Sequence, residues 1–267
     1  MKRLLPVLVL FLASCANPYS QFYQGTPDAR LQPGYESVQA SLQVYGTDNF
    51  DRDRLSLMRR GYMPVGNASF NAASNQVSEA QLREQAQKIG AHVVLVSSKY
   101  SHTVTGARPL NVPNTTTSYS SGTATAYGAG GVAHAYGSGT TTTHGSQTVM
   151  MPYSVARSDF GAIFFVKVKS RVGIVAQPVD DETRKRLQTN AGIKVLVVSE
   201  GSSAFQADVL PGDIVLAVGG DAVQSMDNYY QLLNKYEGQS VPFRIDRDGK
   251  SIEKQIEIRP YAKKTGQ

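Results

Sequence analysis

Apolar and polar residues alternate first at Val38, Ala40, Leu42 and Val44, the period-two pattern of a half-buried strand across residues 37–45. Residues 51–60 carry a short helical pattern stopped at Gly61. Residues 62–70 return to strand spacing, with Pro64 suited to an edge or a strand start. Ser78-Glu79-Ala80-Gln81 then spells a capping box, in which a serine hydroxyl and a glutamine amide satisfy each other's free backbone N–H groups. The helix it opens places Leu82, Ala86 and Ile89 on one face and ends at Gly90. The continuous run Val93-Val94-Leu95-Val96, and the alternation of Phe164, Val166 and Val168 with lysines in residues 160–168, predict two buried strands. Together these elements predict a small α+β layer within residues 35–170.

The segment between those two strands differs in kind. No charged residue lies between Arg108 and Arg157, and residues 114–148 are dominated by Thr, Gly and Ser. Ala126-Tyr127-Gly128 recurs as Ala135-Tyr136-Gly137 on either side of Gly130-Gly131. A Gly/Ser linker would lack the Thr and Tyr that favour strands, and no Pro interrupts residues 114–151. A long hairpin arm with its turn at the Gly pair is therefore expected. Its neutral edges could pair with a partner or with another copy, making a homo-oligomer through residues 114–148.

A third pattern begins near residue 171. Leu210-Pro211-Gly212-Asp213 marks a tight turn, residues 214–218 a buried strand, and Gly219-Gly220-Asp221 a second turn where positive φ is needed. Ser225 can cap a helix whose Tyr229, Leu232, Leu233 and Tyr236 share one side before Gly238. Asp246-Arg247-Asp248-Gly249 joins two final strands as a hairpin.

Composition narrows the function classes. The net charge of +6 includes Lys2 and Arg3 of a leader, and residues 171–267 are neutral with 13 basic and 13 acidic side chains. What is left, 12 basic against 8 acidic residues over 15–170, is scattered. That is solvated surface and not a nucleic-acid footprint, which needs a basic stripe or an aromatic platform. Met1-Lys2-Arg3, the apolar residues 4–12 and Ala13-Ser14 read as an export signal over residues 1–14. The single cysteine, Cys15, excludes an internal disulfide.

Leu12-Ala13-Ser14-Cys15 resembles the lipobox of bacterial lipoproteins, in which the cysteine is acylated and opens the mature chain. That resemblance implies Cys15 as the lipidation site. With Ala16 behind it, it implies a palmitate-bearing protein held on the outer membrane and facing the periplasm. Residues 15–34, with Pro18, Gly25 and Pro27, read as a tether. The stretch Ala86-Gln87-Lys88-Ile89-Gly90-Ala91-His92-Val93 resembles a helix-to-strand unit of small envelope domains in stress-sensing lipoproteins, which implies a fold and no activity.

Over residues 171–260 the chain closely resembles the bacterial PDZ domains appended to high-temperature-requirement periplasmic proteases. The likeness rests on Val172-Gly173-Ile174, the turn Gly201-Ser202-Ser203-Ala204, and the stretch from Leu210 to Gly220. It implies a β-sandwich-like partial barrel with two helices, with residues 261–267 as a tail. It also implies a peptide site: backbone N–H groups of Arg171, Val172 and Gly173 for a terminal carboxylate, an added strand beside residues 172–177, and Ile174, Tyr230 and Leu233 shaping the terminal pocket. Partners would be peptide or protein C-termini of the envelope, held near the membrane by an adaptor. The alternative is a structural envelope protein that docks through the arm, with the PDZ domain as a packing module.

No enzyme is expected. The protease nucleophile motif Gly-Asn-Ser-Gly-Gly is absent, Gly66-Asn67-Ala68-Ser69 being only an echo of it. No Gly-x-Ser-x-Gly, phosphate loop or His-Glu-x-x-His occurs, so no cofactor is expected. His92, His102, His134 and His144 lack neighbouring Cys or clustered carboxylates, so no metal is expected either; His134 and His144 across the arm are the one alternative.

Overall fold

The computed structural model describes residues 17–37 and 41–261. Cys15 and the export signal lie outside the described residues, as do Val38 and Ala40 of the first expected strand. The chain divides into two compact units, one of residues 1–100 with 158–267 and one of Ser101–Arg157.

In the first unit, the N-terminal elements are α1 (Pro18–Gln21), β1 (Tyr23–Gly25), β2 (Gln43–Gly46), α2 (Phe50–Arg59), β3 (Tyr62–Ala73), α3 (Glu79–Ile89), β4 (Val93–Gly128) and β5 (Gly131–Lys167). They form a five-stranded sheet in the order β1-β3-β5-β4-β2, in which β2 runs parallel to β4 and β1 antiparallel to β3. Ser78 caps α3 as a full capping box, and Gly90 closes it at φ 77°. Leu82, Ala86 and Ile89 pack on Phe70, Val94 and Phe164. Leu57 of α2 packs on Val93, Leu95 and Phe165. Helices thus cover both sheet faces, so the apolar run in β4 is continuous where a half-exposed strand would alternate.

The segment read as a tether is built into this layer instead. Asn17 accepts from the backbone N–H groups of Tyr19 and Ser20, Tyr19 is buried edge-on against Phe70, and Tyr23 to Gly25 pair with β3. Burying Tyr19, and setting the partly buried Tyr23 edge-on against Phe164, outweighs the loop-like composition around them. His92 stacks on Tyr35 and accepts the Lys167 backbone N–H through Nδ1, at 3.0 Å.

The C-terminal elements are β6 (Ile174–Pro178), α4 (Asp181–Leu187), β7 (Ile193–Val198), α5 (Ser203–Gln206), β8 (Ile214–Val218), β9 (Asp221–Ala222), α6 (Met226–Lys235), β10 (Ser240–Arg247) and β11 (Lys250–Glu257). The strands follow the order β11-β10-β8-β7-β6, with β9 paired to β8. Val195, Val215, Phe243, Ile245 and Ile256 form a core closed by Tyr229, Leu232 and Leu233 of α6. Asp213 explains the Pro-Gly-Asp motif. Its buried carboxylate accepts from Leu210 N–H at 2.9 Å and from Arg247 Nε and Nη2 at 2.7 and 2.8 Å, tying the turn to β10. This half is fastened to the N-terminal layer, since Glu200 N–H donates to the Arg59 carbonyl at 2.8 Å and Ser199 Oγ to that of Met58 at 3.3 Å.

The second unit is a two-stranded ribbon, longer than residues 114–148. Thr148 bonds Asn111, Thr115 pairs with His144, Ser120 with Gly139 and Thr125 with His134. These pairs keep one register that closes on the two-residue turn Ala129-Gly130, beside the expected Gly pair. Every residue from 107 to 152 is exposed. Because side chains alternate, one face near the turn carries Tyr119, Tyr127, Tyr136 and Val132, and the other only Gly, Ala and Ser.

Candidate functional site

β6 is an edge strand, paired to β7 on one side only among the described residues. The Gly173 carbonyl accepts from Ser199 N–H at 2.7 Å, on the β7 side. Strand alternation therefore turns the N–H and carbonyl of the next residue, Ile174, to the free edge. Gly173 reaches this arrangement at φ 85°, where a Cβ would lie 2.0 Å from the Ser202 Cβ, so no other residue fits.

Beside this edge lies a cavity of about 400 Å³. Ile174, Val175 and Tyr230 line it from the C-terminal half. Met63, Pro64 and Val65 of β3 line it from the N-terminal layer, with Val168 and Lys169 where β5 ends. Tyr261 closes one side, its ring held under the Arg171 guanidinium at 5.2 Å. Tyr230 is half-exposed, and partial burial pushes its hydroxyl above the ordinary tyrosine range.

The residues expected from sequence separate into two groups. Ile174 and Tyr230 meet at the cavity. Val172 and Leu233 are buried in the core at 2% and 3% exposure, where they support the groove from behind without lining the cavity. Arg171 is 4% exposed; its guanidinium donates to Asn234 Oδ1 and lies 3.2 Å from the Glu237 carboxylate, holding the end of α6. The Gly173 N–H, expected to face a carboxylate, donates to Ser170 Oγ at 2.8 Å.

Residues 167–258 match the family model described as PDZ domain. The chain carries a PDZ domain. Over 85 residues it is 32% identical to a probable periplasmic serine endoprotease, DegP-like, of Chlamydia trachomatis serovar D, covering 31% of this chain and 17% of that protein's length. The match is thus confined to the PDZ part of a much longer relative. Among solved structures, the HtrA3 PDZ domain bound to a phage-derived ligand is similar at 17% identity and TM-score 0.30, covering 33% of this chain and 84% of that one. The HtrA-type protease AlgW with a decapeptide is similar at 20% identity and TM-score 0.30, covering 38% of each chain.

Sequence reasoning missed Met63 and Lys169 as cavity residues, because each joins Tyr230 there only through the packing of the two halves, and it missed Tyr261, which follows the last strand and is held by Arg171. Among the described residues, no group of three His, Cys, Asp or Glu side chains could hold a metal, and no helix is long and apolar enough to cross a membrane.

Proposed function

We propose that this protein is a membrane-anchored periplasmic lipoprotein whose PDZ domain binds C-terminal or extended segments of envelope proteins by strand addition, as an adaptor. The free edge of β6 beside α6 and its cavity carries the reading, since strand addition supplies hydrogen bonds for any sequence and a side-chain pocket supplies selectivity. The DegP-like relative, named as a periplasmic protein, supports the compartment. Acylation of Cys15 would supply the anchor, with several acyl chains binding far beyond the marginal hold of one. Two substitutions test the two parts. Cys15→Ala should release the protein from membranes into the soluble fraction. Tyr230→Asp, at a half-exposed position, should weaken a saturable peptide interaction of the full chain at least tenfold and leave its melting temperature unchanged. Membrane retention by Cys15→Ala, or unaltered peptide binding by Tyr230→Asp, would contradict the respective part.

A second reading, self-association through the ribbon, is favoured by one observation. Forty-six consecutive exposed, almost wholly uncharged residues form a two-stranded ribbon, a structure that is marginal in water without a further strand or covering surface. Under this reading, sedimentation shows an oligomer that deletion of residues 107–152 reduces to a monomer.

A further inference from the structure

The ribbon has two unlike faces, and one of them is an exposed apolar surface. Its cross-strand pairs, Asn111 with Thr148, Thr115 with His144 and Thr125 with His134, put odd-numbered residues of β4 and even-numbered residues of β5 on one face. That face carries tyrosines, threonines and histidines, whose hydroxyls and ring nitrogens stay hydrated. The opposite face, far from the turn, carries Leu110, Val112, Val149 and Met151, each between 39% and 50% exposed. Nearer the turn the same face carries Ala124, Ala126, Ala133 and Ala135. Adjoining large apolar side chains left in water mark an interaction surface, and a ribbon of two strands needs a covering layer for stability.

Charge, area and shape together name the occupant. Residues 109–156 carry no charge, so two copies of this face meet without like-charge repulsion, and a charged partner finds nothing to pair with. From residue 107 to the turn the face is about 75 Å long and about 10 Å wide, roughly 700 Å² per copy, close to the ~800 Å² that each partner buries in a standard interface. The face also tapers, from Leu, Val and Met to Ala. Laid head to tail on a second copy, Leu110 and Val112 come over the small residues around that copy's Ala124 and Ala126, so large packs on small along the whole length. Laid head to head, the bulky halves would hold the copies apart and leave a void over the alanines. We infer that a second copy of this chain covers this face, the two ribbons stacking face to face and head to tail about a two-fold axis with their tyrosine faces outward. The inference rests on the self-association reading above and specifies its surface as stacked faces, not paired edges.

The test is sedimentation of the full chain over a range of concentrations, with Cys15→Ala throughout so that acyl chains play no part in association. The expected result is a dimer that Leu110→Arg and Ala126→Arg each weaken about tenfold or more, since each buries an unpaired charge. Tyr127→Arg, on the opposite face, should leave dimerisation within about twofold of its starting value. All three positions are exposed, so none of these variants disturbs a core. Leu110→Glu and Ala126→Arg, mixed, should associate about tenfold more tightly than either alone, because head-to-tail stacking sets the two introduced charges opposite each other. A monomer at every concentration overturns both the inference and the self-association reading. An oligomer that deletion of residues 107–152 abolishes, but that Leu110→Arg leaves intact, overturns the inference and keeps that reading. Equal weakening by Tyr127→Arg overturns the choice of face, and no gain on mixing overturns the head-to-tail arrangement.

Discussion

The C-terminal half and the ribbon of residues 101–157 are both largely antiparallel β-structure, and they solve the problem of paired strands in opposite ways. In the C-terminal half, each strand turns one row of side chains into a common core, and Phe243, Ile245 and Ile256 are wholly buried. In the ribbon, neither row packs into a core, and Tyr119, Tyr127 and Tyr136 are each 82% exposed. Position in the first region is fixed by packing, so one added atom is costly. In the second, pairing alone holds the strands, and side chains are free to serve a partner. Strand content therefore does not locate function here: the first region offers the β6 edge with a cavity beside it, the second only its surfaces.

Glycine substitutions break this comparison most sharply. Gly173→Ala combines a left-handed φ with a Cβ contact that cannot exist, and should destabilise the C-terminal half by about 3 kcal/mol or more. Gly122→Ala, with open space around it, should leave the denaturation midpoint unchanged. Equal effects in the two would mean that the regions are not packed differently. Next in size, Asp213→Ala strands the Arg247 guanidinium and the Leu210 N–H, for an expected loss of about 3 kcal/mol measured by urea denaturation. The ribbon contains no counterpart whose loss should exceed about 0.5 kcal/mol.

The smallest expected effect is a pH dependence in the N-terminal layer. Burial pushes His92 below its ordinary value of 6.5, opposed by the nearby Glu36 carboxylate. The unfolded chain therefore takes up the proton first. Stability is full above about pH 6.5 and declines as pH falls through that value toward the lowered folded one. Denaturation midpoints at pH 7.5 and 5.5 should differ slightly for the wild type and less for His92→Gln.

Much of the fold is legible in the chain because the signals are local. The Ser78 box, the run in β8 and the turn at Asp248-Gly249, with φ 53° and 83°, each fix an element from a few neighbouring residues. The N-terminal segment misleads for the same reason: Pro18 and Gly25 are local loop signals, whereas burial of Tyr19 depends on Phe70, fifty-one residues away. The site divides likewise. Tyr230 and Leu233 are three apart on α6 and so near neighbours on the helix surface, yet only packing decides that Leu233 turns to the core and Tyr230 to the cavity. No periodicity could bring Met63 or Lys169 to Tyr230, because that meeting is made by the bonds that join Ser199 and Glu200 to the last turn of α2.

The central claim is that ligand enters beside β6 and not along the ribbon. Amide resonances of the full chain, followed while an apolar-ended decapeptide is added to saturation, test it most directly. Shifts are expected at Ile174, Val175 and Ala176, at Tyr230, and at Met63 and Val65, with residues 107–152 unmoved. Saturating shifts confined to the ribbon, with β6 unmoved, would contradict it.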